Sequence, residues 1–368
     1  MLKKYLVTFL TILMVFSLLA ACAPQAAEEA TVEEAAQPEV EEVAAEVEEE
    51  VAEEAVEEEL LKVVYITPSP IGVNQFLTLG QDGMDRLAKE YGVEINTVES
   101  SDPTDRAENV RAMVREGWDI IVLLGFDFQD IVAEIAPESP DITFVTVDFC
   151  PNPLPENVRC GVFREHEGAF LIGAVAGLAT ESNVVGTVAA LDTPFIRRWP
   201  DGFAQGAQYV NPDVEVVTLF VGGFADPAKA KELALSMTAD GADHIFAAAA
   251  GGNFGVFEAA KAESFFTYGV DTNQCPNDPQ NVMENLIKRV DEAVFQTVEA
   301  IIQESEQQVF DYGLAENGVG LTILTSDDPD STECAILGYP GVIEEVTEIR
   351  QMIIDGEIEV IDPLSAGN

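Results

Sequence analysis

Positive charge is scarce in this chain. Eighteen lysines and arginines face 67 aspartates and glutamates over 368 residues, a formal net charge of −49. That balance disfavours nucleic acid or an anionic membrane surface as a partner, because affinity for phosphate arrays depends on clustered cations. Histidine is nearly absent too, with His166 and His244 in no spaced ligand or triad pattern. The run Glu165-His166-Glu167 does not read as a metal cluster, since adjacent residues at a helix start point to different sides. No metal and no cofactor are expected. Neither a Gly-x-x-x-x-Gly-Lys-Ser/Thr phosphate loop nor a Gly-x-Ser-x-Gly elbow occurs. The segment Ala249-Ala250-Gly251-Gly252-Asn253-Phe254-Gly255 sits deep in the chain rather than in a first βαβ unit, so it is a weak candidate for a dinucleotide loop. With so many carboxylates, pairing any two as acid and base is arbitrary, and nothing demands an enzyme.

Long apolar runs are also lacking, apart from Tyr5–Leu19, which follows Lys3 and Lys4 and ends in Leu19-Ala20-Ala21-Cys22. Too short and too early for a comfortable span, it reads as a signal peptide over residues 1–21, with Cys22 as a lipidated first residue. The chain is then expected on the extracytoplasmic face of the cell membrane, anchored through Cys22. Residues 22–60 form an acidic tether with sixteen glutamates and no lysine or arginine. Such a stretch repels itself and has little to build a core with. Residues 61–368 keep 16 basic and 51 acidic residues, a net charge of −35. Four further cysteines, Cys150, Cys160, Cys275 and Cys334, allow three pairings. Cys150 and Cys160 bracket Pro151-Asn152-Pro153-Leu154-Pro155, and a bridge between them is expected in an oxidising compartment.

From Leu61 onward short β-branched runs alternate with amphipathic stretches. Strands are expected at Leu61–Thr67, Val93–Glu99, Ile120–Leu124 and Ile142–Asp148, with helices at Gln75–Tyr91, Asp105–Glu116 and near Gln129–Ala136. A second cycle has strands at Val184–Ala190, Val214–Phe220, His244–Ala249 and Phe266–Val270, with helices at Gly168–Ala179, Trp199–Val210, Pro227–Ala239, Gly255–Ala262 and Val282–Glu304. Near-continuous apolar strands between helices imply parallel sheets covered on both faces, hence an α/β fold of two doubly wound, Rossmann-like lobes. Ligands in such sheets bind beyond the carboxyl ends of the strands. Those ends carry Asn74 and Gln75, Phe126, Asp148, Phe224, Gly251 and Asp271, side chains and backbone able to bond hydroxyls and stack on a ring.

Together with Gly168-Ala169-Phe170-Leu171, Gly173-Ala174-Val175-Ala176-Gly177, Gly202-Phe203, Gly206-Ala207, Val221-Gly222-Gly223-Phe224, Gly269-Val270-Asp271 and Lys288-Arg289-Val290-Asp291, this order of residues carries a resemblance. From about Leu61 to Leu321 the chain resembles the basic membrane protein family of ABC-transporter lipoproteins, some of which are purine nucleoside receptors. The resemblance implies a type I periplasmic binding protein with a first lobe of residues 61–163 plus about 273–320. The second lobe would be 164–272 plus about 321–368. By the same resemblance Asn74 faces a nucleoside-like ligand, Asp148 accepts hydrogen bonds from it and Phe224 stacks on its ring. Asp271 and Lys288, the latter in the helix expected at Val282–Glu304, would hold ribose hydroxyls, with the backbone at Gly251 closing one wall. ABC permease subunits are the implied protein partners, and a monomer is expected. Members of the family carry an aspartate and a Ser-Phe-Asn segment after the first strand. Here Thr67-Pro68-Ser69-Pro70-Ile71-Gly72-Val73-Asn74 keeps the asparagine and not the aspartate. A sensor for a signalling receptor, or a receptor of this class with a non-nucleoside ligand, is the alternative.

Overall fold

The computed structural model describes residues 60–365. The expected signal segment, Cys22 and the tether lie outside the described residues. Strands β1 (Lys62–Thr67), β2 (Glu94–Glu99), β3 (Ile120–Leu124), β4 (Thr143–Val147) and β5 (Val158–Phe163) are interleaved with helices α1 (Gln75–Tyr91), α2 (Pro103–Glu116) and α3 (Gln129–Ile135). After α4 (Glu165–Ala179) come β6 (Val184–Ala189), α5 (Arg198–Val210), β7 (Glu215–Phe220), α6 (Pro227–Ala239), β8 (His244–Ala248), α7 (Asn253–Glu263), β9 (Phe266–Asp271) and β10 (Val282–Lys288). The described chain then runs through α8 (Val290–Ile302), β11 (Val309–Tyr312), β12 (Val319–Leu321), the single turn α9 (Thr322–Thr325) and α10 (Pro340–Ile354). No helix among the described residues is long and apolar enough to cross a membrane.

Two six-stranded sheets result, in the orders β11-β5-β4-β3-β1-β2 and β12-β10-β9-β8-β6-β7. Every pairing is parallel except that of β10 with β12. The central strands β3 and β8 are buried along their whole length, as strands covered by helices on both faces must be. The chain passes between the sheets three times: from β5 into α4, from β10 into α8, and from β11 into β12. This is the two-lobed type I periplasmic binding protein architecture.

One expected helix is a strand. Val282–Lys288 does not open the helix expected at Val282–Glu304 but pairs with Thr267–Asp271 of β9, so Lys288 is the last residue of a strand. The misreading has a physical cause, because buried polar residues Glu284 and Asn285 break the apolar run that marks an interior strand. Glu284 is satisfied by backbone N–H groups of Asn285, Thr322 and Ile323, at 2.7, 2.9 and 3.2 Å. The chain therefore returns to the first sheet at Arg289, not at about residue 273. The helix itself starts at Val290, with Asp291 and Glu292 in its first turn.

Packing in the second lobe depends on two glycines. Helices α4 and α5 approach so closely that a Cβ on Gly173 would collide with the Phe203 carbonyl, and one on Gly206 with that of Phe170. This contact explains why α4 is buried on nearly every side and shows no polar stripe. Two disulfides clamp the loops, Cys150–Cys160 and Cys275–Cys334, with Cα atoms 5.5 and 4.8 Å apart.

Candidate functional site

The carboxyl ends of both sheets enclose a cavity of about 300 Å³. At its base lies Lys288, delivered by β10 and 2 % exposed. Its ammonium donates to Asp148 Oδ1 at 2.7 Å and forms an ion pair with Glu165 Oε1 at 2.9 Å. Rings of Phe163, Phe76, Trp199 and Phe195 surround the ammonium, with centroids 4.7, 5.0, 5.3 and 5.9 Å from Nζ. Burial works against this charge, yet Asp148, Glu165 and Asp271 outweigh it and raise the lysine above its ordinary range. It is cationic throughout the physiological range.

Asp148 and Asp271 each follow or end a strand at the rim, and each has a left-handed backbone, with φ of 80° and 71°. For residues with a Cβ this conformation costs energy and is found where the chain must aim a side chain. Burial pushes both carboxyls up despite Lys288, and Asp271 reaches about 6. Asp271 lines the cavity without a hydrogen-bond partner among the described residues. Glu165, wholly buried at the start of α4, also meets Arg198 Nη1 at 2.9 Å, and Arg198 is in turn held by Asp362 through Nε at 2.9 Å. A chain of alternating charge thus runs from the cavity to the C-terminal segment.

Aromatic rings form the walls. Phe126, carried by the turn after β3, lies 5.4 Å from Phe195 and 6.4 Å from Phe224, centroid to centroid, so the first lobe meets the second through these rings. Asn74 sits at the N-cap of α1 but makes no capping bond, and its Oδ1 is buried without a partner. Arg106 Nη1 contacts Asp127 Oδ1 at 2.6 Å, and its Nε donates to the Pro68 carbonyl at 2.9 Å.

Of the residues expected from the sequence, Asn74, Phe126, Asp148, Phe224, Asp271 and Lys288 all line the cavity. Gln75 and Gly251 do not. Gln75 is the first residue of α1, and the wall near Gly251 is made by Ala250. A Cβ at Gly251 would lie 3.2 Å from the Phe224 carbonyl, so this glycine lets its loop back the aromatic wall. The sequence reading missed Phe195, Trp199, Glu165 and Arg106. Phe195 follows β6 at the same carboxyl rim, so the strand-end rule extended to that loop would have found it. For Glu165 and Arg106 no local signal exists, because one is buried only through tertiary packing and the other reaches the cavity from a helix.

The sequence profile described as ABC transporter substrate-binding protein PnrA-like matches residues 60–361. The chain belongs to this family. Among its relatives, the CD4+ T-cell-stimulating antigen of Listeria monocytogenes is 30% identical over 306 residues, covering 76% of this chain and 82% of the relative. A Lactococcus lactis protein described as ABC transporter nucleoside-binding protein BmpA is 29% identical over 228 residues, 58% of this chain and 64% of the relative. A solved solute-binding protein of an ABC transporter system from Aeropyrum pernix K1 superposes with a TM-score of 0.73 at 27% identity, covering 82% of this chain and 94% of that one. Membership of the PnrA-like family makes the chain a non-catalytic solute-binding protein of an ABC importer. It is membrane-associated on the extracytoplasmic side, with permease subunits and a small molecule as partners.

Proposed function

We propose that the solute is a purine nucleoside or a similar ribosylated small molecule, held in the cavity between the lobes. The observation that carries this reading is the grouping of Lys288, Asp148 and Asp271 at one end of a cavity whose walls are aromatic. An ammonium and two carboxylates supply both a donor and acceptors to vicinal hydroxyls in a desolvated setting, and flanking rings cover the faces of a heterocycle. Phe126 and Phe224 approach the ring from opposite lobes, and Asn74 offers an acceptor to its edge. The description of the Lactococcus lactis relative as nucleoside-binding supports the same solute class. The protein acts as a monomer, tethered through lipid on Cys22, and closes on its ligand by hinge motion at the three crossings. Mass spectrometry of the small molecules released when native-source protein is denatured tests the reading. A nucleoside is the expected species; a tightly held solute without a pentose would contradict it.

A further inference from the structure

Two cationic side chains line the cavity, Lys288 at the end of β10 in the second sheet and Arg106 on α2 beside the first. Lys288 is committed to Asp148 and Glu165. Arg106 comes from α2, which follows β2 at the opposite margin of the first sheet. In the order β4-β3-β1-β2, the rim passes from Asp148 through Phe126 and Asp127, then Pro68 and Ser69, to Arg106. The guanidinium is fixed there by the Pro68 carbonyl and Asp127, and its Nη2 has no recorded partner among the described residues. Nearby on the wall, Asn74 Oδ1 is buried with no donor. If hydroxyls occupy the Lys288 end, the heterocycle meets the Arg106 end.

We propose that Arg106 is the specificity-determining residue and that it selects an oxopurine nucleoside, such as inosine or guanosine, over an aminopurine nucleoside. The proposal rests on the nucleoside reading. A guanidinium only donates hydrogen bonds, and the edge of an oxopurine that matches it presents a carbonyl oxygen and the adjacent ring nitrogen, both acceptors. The neighbouring ring N–H of the same base is the donor that Asn74 Oδ1 lacks. Replacing the carbonyl by an amino group turns donor against donor at Arg106 and acceptor against acceptor at Asn74. Asn74 can rotate its amide to recover its bond; Arg106 has no acceptor to offer. Discrimination therefore resides in Arg106. Asp127 is the acceptor beside it, and if Asp127 read the ring instead, the aminopurine would win.

Calorimetric titration of the protein with inosine, guanosine and adenosine tests this. The two oxopurine nucleosides are expected to bind at least about tenfold more tightly than adenosine. In Arg106→Met the preference is expected to shrink to within roughly threefold, through loss of oxopurine affinity relative to adenosine. 7-Deazaguanosine, which lacks the ring-nitrogen acceptor, is expected to bind the unaltered protein at least about threefold more weakly than guanosine, a readout independent of any variant. Equal or tighter binding of adenosine, a preference that survives in Arg106→Met, or full affinity for the deaza analogue would each overturn the assignment of Arg106 while leaving the nucleoside reading intact. Failure of all three nucleosides to bind would remove that reading and this inference with it.

Discussion

Asp271 has no hydrogen-bond partner among the described residues, whereas Asp148 and Glu165 share the ammonium of Lys288. Burial is the main force raising Asp271; of the groups facing it, Lys288 favours its ionised form and Asp148 and Glu165 oppose it, and the carboxyl sits at about 6. Ligand hydroxyls that donate to the ionised form lower that value, so binding near pH 6 releases a proton. Affinity is expected to be constant well above pH 6 and to weaken by up to tenfold per pH unit as pH falls through it, with Asp271→Asn flattening the profile; titrations from pH 5 to 8 check this. Stability of the unliganded protein carries the opposite sign. A raised carboxyl favours the fold below its unfolded value, and that contribution is lost as pH rises through about 6.

Lys288 differs from Asp271 in what its removal leaves behind. Lys288→Met leaves Asp148 unpaired in a buried site beside Glu165, which keeps only Arg198, so the variant is expected to lose about 3–5 kcal/mol of stability in addition to binding, read from denaturant unfolding without ligand. An unchanged midpoint would show that the ion pairs are not formed in solution. The resemblance read from the sequence gave Lys288 a role toward ligand hydroxyls alone. Its role as the centre of three carboxylates depends on Glu165, whose burial no pattern in the sequence announces.

At the scale of elements, the alternation of β-branched runs with helical stretches was legible across both sheets, because strands buried on two faces leave an almost unbroken apolar signature. Val282–Lys288 was not legible as a strand. Its interior carries a carboxylate, raised to about 7 by burial against its backbone donors, and an amide, which propensity cannot place. Strand β5, split from β4 by a proline-rich loop, and the short crossing strands β11 and β12 were also missed. β11 and β12 are brief, and β11 is only half covered, so its pairing with β5 is decided by tertiary contact. Two glycines have the clearest consequence at this scale. Gly206→Ala would drive a methyl into the Phe170 carbonyl of α4, where a helix backbone cannot yield, and is expected to cost about 3 kcal/mol or more, measured by thermal or denaturant unfolding.

Across the whole molecule the first and second crossings are each tied to the third. Arg164, where the first crossing leaves β5, meets Glu167 at 2.7 Å, Asp311 at 2.7 Å and Glu316, while its backbone N–H donates to Tyr312 at 3.0 Å. The Arg289 N–H likewise donates to Gly318 at 2.8 Å, tying the second crossing to the third. The crossings thus form a cross-linked bundle of strands, and the aromatic contact of Phe126 with Phe195 and Phe224 makes the cavity depend on both lobes. Anchoring belongs to this scale as well. Cys22→Ser is expected to release the protein from the membrane fraction into the soluble one, by fractionation and immunoblot, and full retention would contradict a lipid anchor.

The central claim is that Asp271, with Lys288 and Asp148, holds the pentose of a nucleoside inside the cavity. Calorimetric titration of the wild-type protein and Asp271→Asn with a purine nucleoside at pH 8, beside the free base and the free pentose, tests it most directly. The expected result is saturable binding of one nucleoside per wild-type chain, weakened by about 2–4 kcal/mol in the variant, or roughly thirtyfold to a thousandfold, with an unliganded melting temperature at or above that of the wild type. Nucleoside affinity equal in the two proteins, or a free base bound as tightly as its nucleoside, would contradict it.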